Sequence, residues 1–124
     1  MRVGYNVRMP VNATIEKFAA GPAVVTLAGS MTLGTSLKVA DSQIHGLINE
    51  GVTKMVIDLT GVDYLDSAGL GMLVFVYGTL NENNGALRLC GVAPRVRTLL
   101  KVTQTDTFLS IDETREESLA ALTA

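Results

Sequence analysis

The residue types that could do chemistry concentrate in one stretch, Asp58-Leu59-Thr60-Gly61-Val62-Asp63-Tyr64-Leu65-Asp66-Ser67-Ala68-Gly69-Leu70-Gly71. It begins as an apolar run fit for a buried strand and continues as a short acidic loop. Ser67 falls where a long apolar helix starts. Local chemistry offers two readings of Ser67. The simpler is structural: Asp66 or Ser67 caps the helix, its side-chain oxygen accepting a first-turn amide that has no partner within the helix. Gly69 and Gly71 then let the helix pack closely on the sheet, each at a propensity cost of about 1 kcal/mol. The sharper reading is regulatory. A phosphate on Ser67 would meet exposed amides and the positive end of the helix dipole, so the fold could tolerate it. It would add roughly −1.5 to −2 charges at pH 7. Asp63 and Asp66 stand beside it in sequence, so a partner that docks on a neutral hydroxyl would meet a strongly acidic surface. By local chemistry alone the cap is the simpler of the two, and they can coexist.

Other chemistries fit less well. A serine at a strand-to-helix turn is loosely like the nucleophile elbow of a serine hydrolase, but Leu65 stands where that motif needs glycine. The only histidine, His45, lies on a separate amphipathic segment and is expected to be solvated beside Gln43. A triad needs its base within hydrogen-bond reach of the nucleophile. Cys90 is expected to be a buried small hydrophobe. The glycines do not compose a phosphate-binding GxxxxGK[ST] loop. With one cysteine and one histidine there is no ligand set for zinc and no internal disulfide. The chain is therefore expected to hold no cofactor and no metal and not to be an enzyme.

The elements that position Ser67 can be read from periodicity. Val11 to Phe18 alternates imperfectly and predicts a half-exposed strand; Ala19-Ala20-Gly21-Pro22 predicts a turn. Ala23 to Ala28 is a valine-rich apolar run and predicts a buried strand, so the pair forms a hairpin. After the Gly29 to Gly34 loop, Leu37, Ala40, Ile44, Leu47 and Ile48 follow helical spacing. Met55 to Leu59 is a second buried-type strand. Ser67 to Leu80 is apolar almost all round, which predicts a largely covered helix. Ala86 to Cys90 predicts a strand, and Pro94 opens a helix through Leu100. Phe108 to Ile111 predicts a short strand, and Thr114 with Glu117 forms a capping box for a last helix. The order β-β-α-β-α-β-α-β-α implies an α/β fold with a mixed β-sheet covered by helices.

Composition narrows the function. The 124 residues suit one domain, expected at 11–124 after a 1–10 lead-in. At 48% hydrophobic and 18% charged, the chain can build a core. No apolar run nears the roughly 20 residues of a membrane span, and the N-terminus lacks a signal pattern. A cytoplasmic protein without membrane attachment is expected. A net charge of −2 and 5% aromatics provide neither a basic field nor stacking platforms, so direct nucleic-acid binding is not expected.

The segment Asp66-Ser67-Ala68-Gly69-Leu70, opening a helix after a strand, resembles the hallmark of the STAS domain. This is the family of sulphate transporter cytoplasmic domains and anti-sigma factor antagonists. The likeness runs from about Val11 to Leu122 and includes Gly85 before a strand and Val92-Ala93-Pro94-Arg95-Val96 at the next helix. The resemblance implies a stand-alone anti-sigma factor antagonist with Ser67 as phosphoacceptor. Its implied partners are an anti-sigma factor serine kinase, bound while Ser67 is unphosphorylated and released on phosphorylation, and a resetting PP2C-type phosphatase. Sigma-factor-dependent transcription would be the process controlled. The implied partner-binding residues are Ser30, Thr32, Leu33, Gly34, Asp66, Ser67, Ala68 and Leu70. In one respect the chain departs from the family: many antagonists carry an acidic Glu-Leu-Asp-like stretch where this chain has Ser30-Met31-Thr32-Leu33-Gly34. The alternatives are a STAS adaptor or scaffold subunit in a stressosome-like or lipid-transport complex and, more remotely, a serine hydrolase. Stressosome proteins usually add a sensor domain and transporter copies follow a membrane region, so the stand-alone reading fits this length best.

Overall fold

A computed structural model describes residues 9–19 and 21–123. Most of the expected 1–10 lead-in, Ala20 of the first turn and the last residue lie outside the described residues. The elements are β1 (Asn12–Lys17), β2 (Ala23–Ala28), α1 (Thr35–Asn49), β3 (Lys54–Gly61), α2 (Ser67–Glu82), β4 (Ala86–Cys90), α3 (Pro94–Val102), a 3-10 turn (Thr105–Thr107), β5 (Ser110–Asp112) and α4 (Arg115–Thr123). The five strands form one sheet in the order β1-β2-β3-β4-β5. β1 runs antiparallel to β2, and the other pairs are parallel. The fold is α/β with a mixed sheet, in the order read from the sequence.

Strand periodicity sets the layers, because successive side chains point to opposite faces. Val25, Leu27, Met55, Ile57, Leu87 and Leu89 face one side and form the main core with the buried stripes of α1, α2 and α3. Right-handed crossovers between neighbouring parallel strands put those three helices on the same face. Val24, Val56 and Cys90 face the other side, where α4 closes a smaller cluster through Leu122 and Leu119. β2, β3 and β4 thus each end beside the start of a helix on the main face, and the loop that carries Ser67 is one of these connections.

Three local expectations need correcting. α2 is not largely covered. Gly69, Met72, Leu73, Val76 and Leu80 are buried, but Phe75 is 63% exposed and Leu70 and Val74 are half-buried. One layer of helices covers the sheet and nothing described covers that layer, so an apolar helix here keeps an open face. The last strand starts two residues later than expected, because Arg88, Leu89 and Cys90 of β4 pair with Ser110, Ile111 and Asp112. Phe108 instead packs against Tyr77, ring centroids 5.0 Å apart. His45 is not solvated beside Gln43. It is half-buried against Phe75 (centroids 5.3 Å), with Nε2 3.2 Å from Asp41 Oδ1.

Elsewhere local chemistry reads directly. Pro94 takes the first turn of α3. At α4 the Glu117 amide donates to Thr114 Oγ1 (3.1 Å), while Glu117 Oε1 accepts from the Glu113 and Thr114 amides, completing the capping box. Met9 and Pro10 are tied to the extension of β2: the Ser30 amide donates to the Met9 carbonyl at 2.9 Å.

Candidate functional site

The site is built by two loops zipped together. The Met31 amide donates to the Tyr64 carbonyl (3.0 Å), and the Asp66 amide donates back to the Met31 carbonyl (3.1 Å). Met31 and Leu65, both buried, form the bridge between them. This fixes the loop after β2 against the loop after β3.

Asp66 then decides where α2 begins. Its backbone is extended, and its Oδ1 accepts from the Ala68 and Gly69 amides at 2.9 and 3.0 Å. Oδ2 accepts from the Leu33 amide at 2.9 Å. Hydrogen bonds from the Leu33 and Gly69 amides, foremost among several, hold its carboxyl below the usual carboxylate range. Asp66 is therefore the cap, and it also stitches the two loops. Replacing it with alanine is expected to lower stability by about 1–2 kcal/mol, the loss typical of an N-cap, read from urea unfolding. Ser67 is spared that task. It occupies the first helical position, is exposed, and its hydroxyl makes no hydrogen bond among the described residues.

The two glycines after it prove unlike. A Cβ on Gly69 would lie 2.3 Å from the Met31 carbonyl oxygen, so only glycine lets α2 start this close to the other loop. A Cβ on Gly71 would meet nothing within 4 Å. Gly71 faces outward rather than letting the helix approach the sheet, which corrects the expectation for it.

Of the residues expected at the partner surface, Leu33 is 75% exposed, Gly34 and Ser67 are exposed, and Thr32, Ala68 and Leu70 are half-buried. Asp66 is engaged with backbone amides. Ser30 is only 4% exposed and stands back from this patch. Residues that the sequence reading passed over join it. Phe75 lies two turns along α2 from Ser67, on the same open face. An apolar groove of about 550 Å³ runs between α2 and α3, with Ser67 and Arg95 on its wall and Tyr64, Leu70, Leu99 and Val102 among its lining. The signal for Phe75 lay in the excess apolar content of α2. The groove pairs residues some thirty positions apart and left no local signal.

His45 packs beside Phe75, eight residues from Ser67, or about 12 Å along the helix axis. It is out of reach as a base for Ser67. Cys90 is buried, and burial first, with the Asp58 charge second, pushes its thiol up to about 11. It is the inert core thiol expected. Among the described residues no helix is long and apolar enough to cross a membrane.

The site is thus an exposed serine at the start of a capped helix, beside a mixed α/β sheet, with open apolar side chains around it. The family model for the STAS domain matches residues 11–118, and the chain belongs to that family. It is 30% identical over 93 residues to the anti-sigma-B factor antagonist of Listeria monocytogenes, covering 75% of this chain and 81% of the relative. Its fold matches an anti-sigma factor antagonist from Mycobacterium paratuberculosis with a TM-score of 0.80 at 22% identity, over 92% and 95% of the two chains. It also matches the Bacillus cell fate determinant SpoIIAA in its phosphorylated form, with a TM-score of 0.71 at 18% identity, over 88% and 97%.

Proposed function

We propose that this chain is a cytoplasmic anti-sigma factor antagonist switched at Ser67. With the hydroxyl free it binds an anti-sigma factor that is also a serine kinase, and so frees the sigma factor. Phosphorylation by that kinase releases the antagonist, and a PP2C-type phosphatase restores it. One observation carries this reading: the Ser67 hydroxyl is exposed and uncommitted, because Asp66 performs the capping. The named relatives support the antagonist role, and the SpoIIAA structure shows that this fold has been solved phosphorylated.

The physics of release follows from the site. A phosphate at the first helical position faces the positive end of α2, so the helix is not disrupted. The charged Asp66 is its immediate neighbour, and Leu33 and Leu70 offer apolar contacts around it. A partner surface that buries Leu33 against a neutral hydroxyl would have to bury a near-dianion instead, which is costly without a paired cation. Release then needs no unfolding.

The test is incubation with ATP, Mg²⁺ and each serine-kinase anti-sigma factor of the source organism. Wild type is expected to be labelled and Ser67→Ala not. Ser67→Asp is expected to bind the same kinase at least tenfold more weakly, about 1.4 kcal/mol. Equal labelling of Ser67→Ala, or unchanged affinity of Ser67→Asp, would overturn the switch.

A further inference from the structure

We propose that Arg95 receives the phosphate of phosphorylated Ser67 within the same molecule, an inference that rests on the switch proposed above. Four arginines lie among the described residues, and three are committed. Arg88 donates to both oxygens of Asp112 at 2.7 and 3.1 Å. Arg97 reaches Glu113 at 3.5 Å, and Arg115 reaches Asp58 and Glu16 at 2.9 and 2.8 Å. Arg95 is exposed and has no carboxylate partner among the described residues.

Its position is not explained by the helix that carries it. Arg95 sits in the first turn of α3, whose cap residue Ala93 supplies no side-chain hydrogen bond. A cation there faces the positive end of the helix dipole, where a carboxylate is the favourable choice. A local rule broken without a local gain points to a role beyond local structure.

The groove between α2 and α3 supplies that role, because Ser67 and Arg95 line it together. Asp66 lines it too, but both of its oxygens are taken by the Leu33, Ala68 and Gly69 amides. Asp63, on the other side of Arg95, is exposed and forms no ion pair with it. While Ser67 is neutral the guanidinium has no anionic partner among the described residues. A phosphate on Ser67 provides the missing acceptor, and its oxygens match the planar fork of arginine better than any single carboxylate oxygen does. The pair draws Arg95 across the groove, over Leu70 and Leu99. Release then has two parts: charge at Ser67, and loss of the apolar seat beside it.

The test uses the full chain with phosphoserine installed at position 67 by genetic-code expansion, so that no kinase is required. The second ionisation of the phosphate, near pH 6 when unperturbed, is followed by ³¹P NMR. With Arg95 present it is expected to fall about half a unit below its value in Arg95→Ala, the size of an exposed charge-assisted pair. Arg95→Lys is expected to recover part of the shift, keeping the charge without the fork. Arg97→Ala removes the same charge from the same helix and is expected to leave the titration unmoved. Identical titrations in wild type and Arg95→Ala overturn the proposal, as does an equal shift in Arg97→Ala. Because the phosphate is installed rather than transferred, failure here is distinct from failure of the switch, which shows as unlabelled Ser67 in the kinase assay.

Discussion

Gly69→Ala is expected to lower the unfolding free energy by about 2 kcal/mol, whereas Gly71→Ala, two residues on, is expected to raise it by up to about 1 kcal/mol. Both substitutions gain the same helix propensity, so the difference between them is packing alone. At Gly69 the new methyl would sit 2.3 Å from the Met31 carbonyl oxygen, 2.9 Å from Met31 Cβ and 3.0 Å from Leu65 Cβ. The first of these is backbone, and the same carbonyl accepts the Asp66 amide. It cannot swing away as the end of a flexible side chain could. Relief requires α2 to lift from the loop after β2, which stretches the bonds of Asp66 to the Leu33 amide and the Met31 carbonyl together. The overpacking cost is therefore placed at or above the upper end of the usual range of about 1–3 kcal/mol, less about 1 kcal/mol of propensity.

The measurement is urea unfolding of the three proteins under one condition, with the midpoint converted through a shared slope. Gly69→Ala should also weaken labelling of Ser67 in the kinase assay proposed above, since the serine is carried on the displaced turn. Gly71→Ala leaves that turn in place. A Gly69→Ala protein as stable as Gly71→Ala would mean that the start of α2 is not seated on Met31, and the rigid presentation of Ser67 would go with it.

The two glycines also show where sequence reading stops. Both stand in the first turns of the same apolar helix, and nothing in their spacing distinguishes the one that touches Met31 from the one that touches nothing. The same limit applies to the cap. Asp and Ser are both good N-caps, and only the extended backbone at Asp66, with its three amide donors, assigns the task to Asp66 and frees Ser67. Element order was legible because strand runs and helical stripes are local patterns, and so were the Thr114–Glu117 box and Pro94. The open face of α2 was not. An all-round apolar helix signals burial, but whether a further layer exists to bury it depends on the rest of the fold. Least legible was the polar cluster beneath α4, whose members are 57, 89 and 99 residues apart in sequence.

That cluster leads to the second large effect: Arg115→Met is expected to destabilise the domain by about 2–3 kcal/mol at pH 7 and by less at pH 3. Arg115 opens α4 and reaches across the sheet, donating to Asp58 on β3, Thr26 on β2 and Glu16 on β1. Asp58 is only 7% exposed. Burial alone would raise its carboxyl, but the Thr60 hydroxyl and amide together with the Arg115 guanidinium outweigh this and hold it below its ordinary value. A carboxyl depressed in the folded state stabilises fully above its unfolded pKa, here near 3.8, and that contribution is lost as pH falls through the lower folded value. Asp112 follows the same rule through Arg88 and Ser118, so acid loosens both attachments at the α4 face. Methionine preserves the aliphatic stem of Arg115 but leaves a nearly buried carboxylate with Thr60 as its remaining partner. Breaking a buried pair costs about 3–5 kcal/mol; the Arg115 side chain is 29% exposed, so solvent screening brings the figure down. Urea unfolding at the two pH values tests this, the gap between wild type and variant closing on acidification. The double variant Asp58→Leu/Arg115→Met should recover much of the loss, because it removes the orphaned charge as well. A gap that persists unchanged at pH 3 would show that Arg115 acts through packing and not through Asp58. If the gap closes, the small apolar contact of Leu119 and Leu122 is not enough to hold α4, and an ion pair fastens it to the sheet.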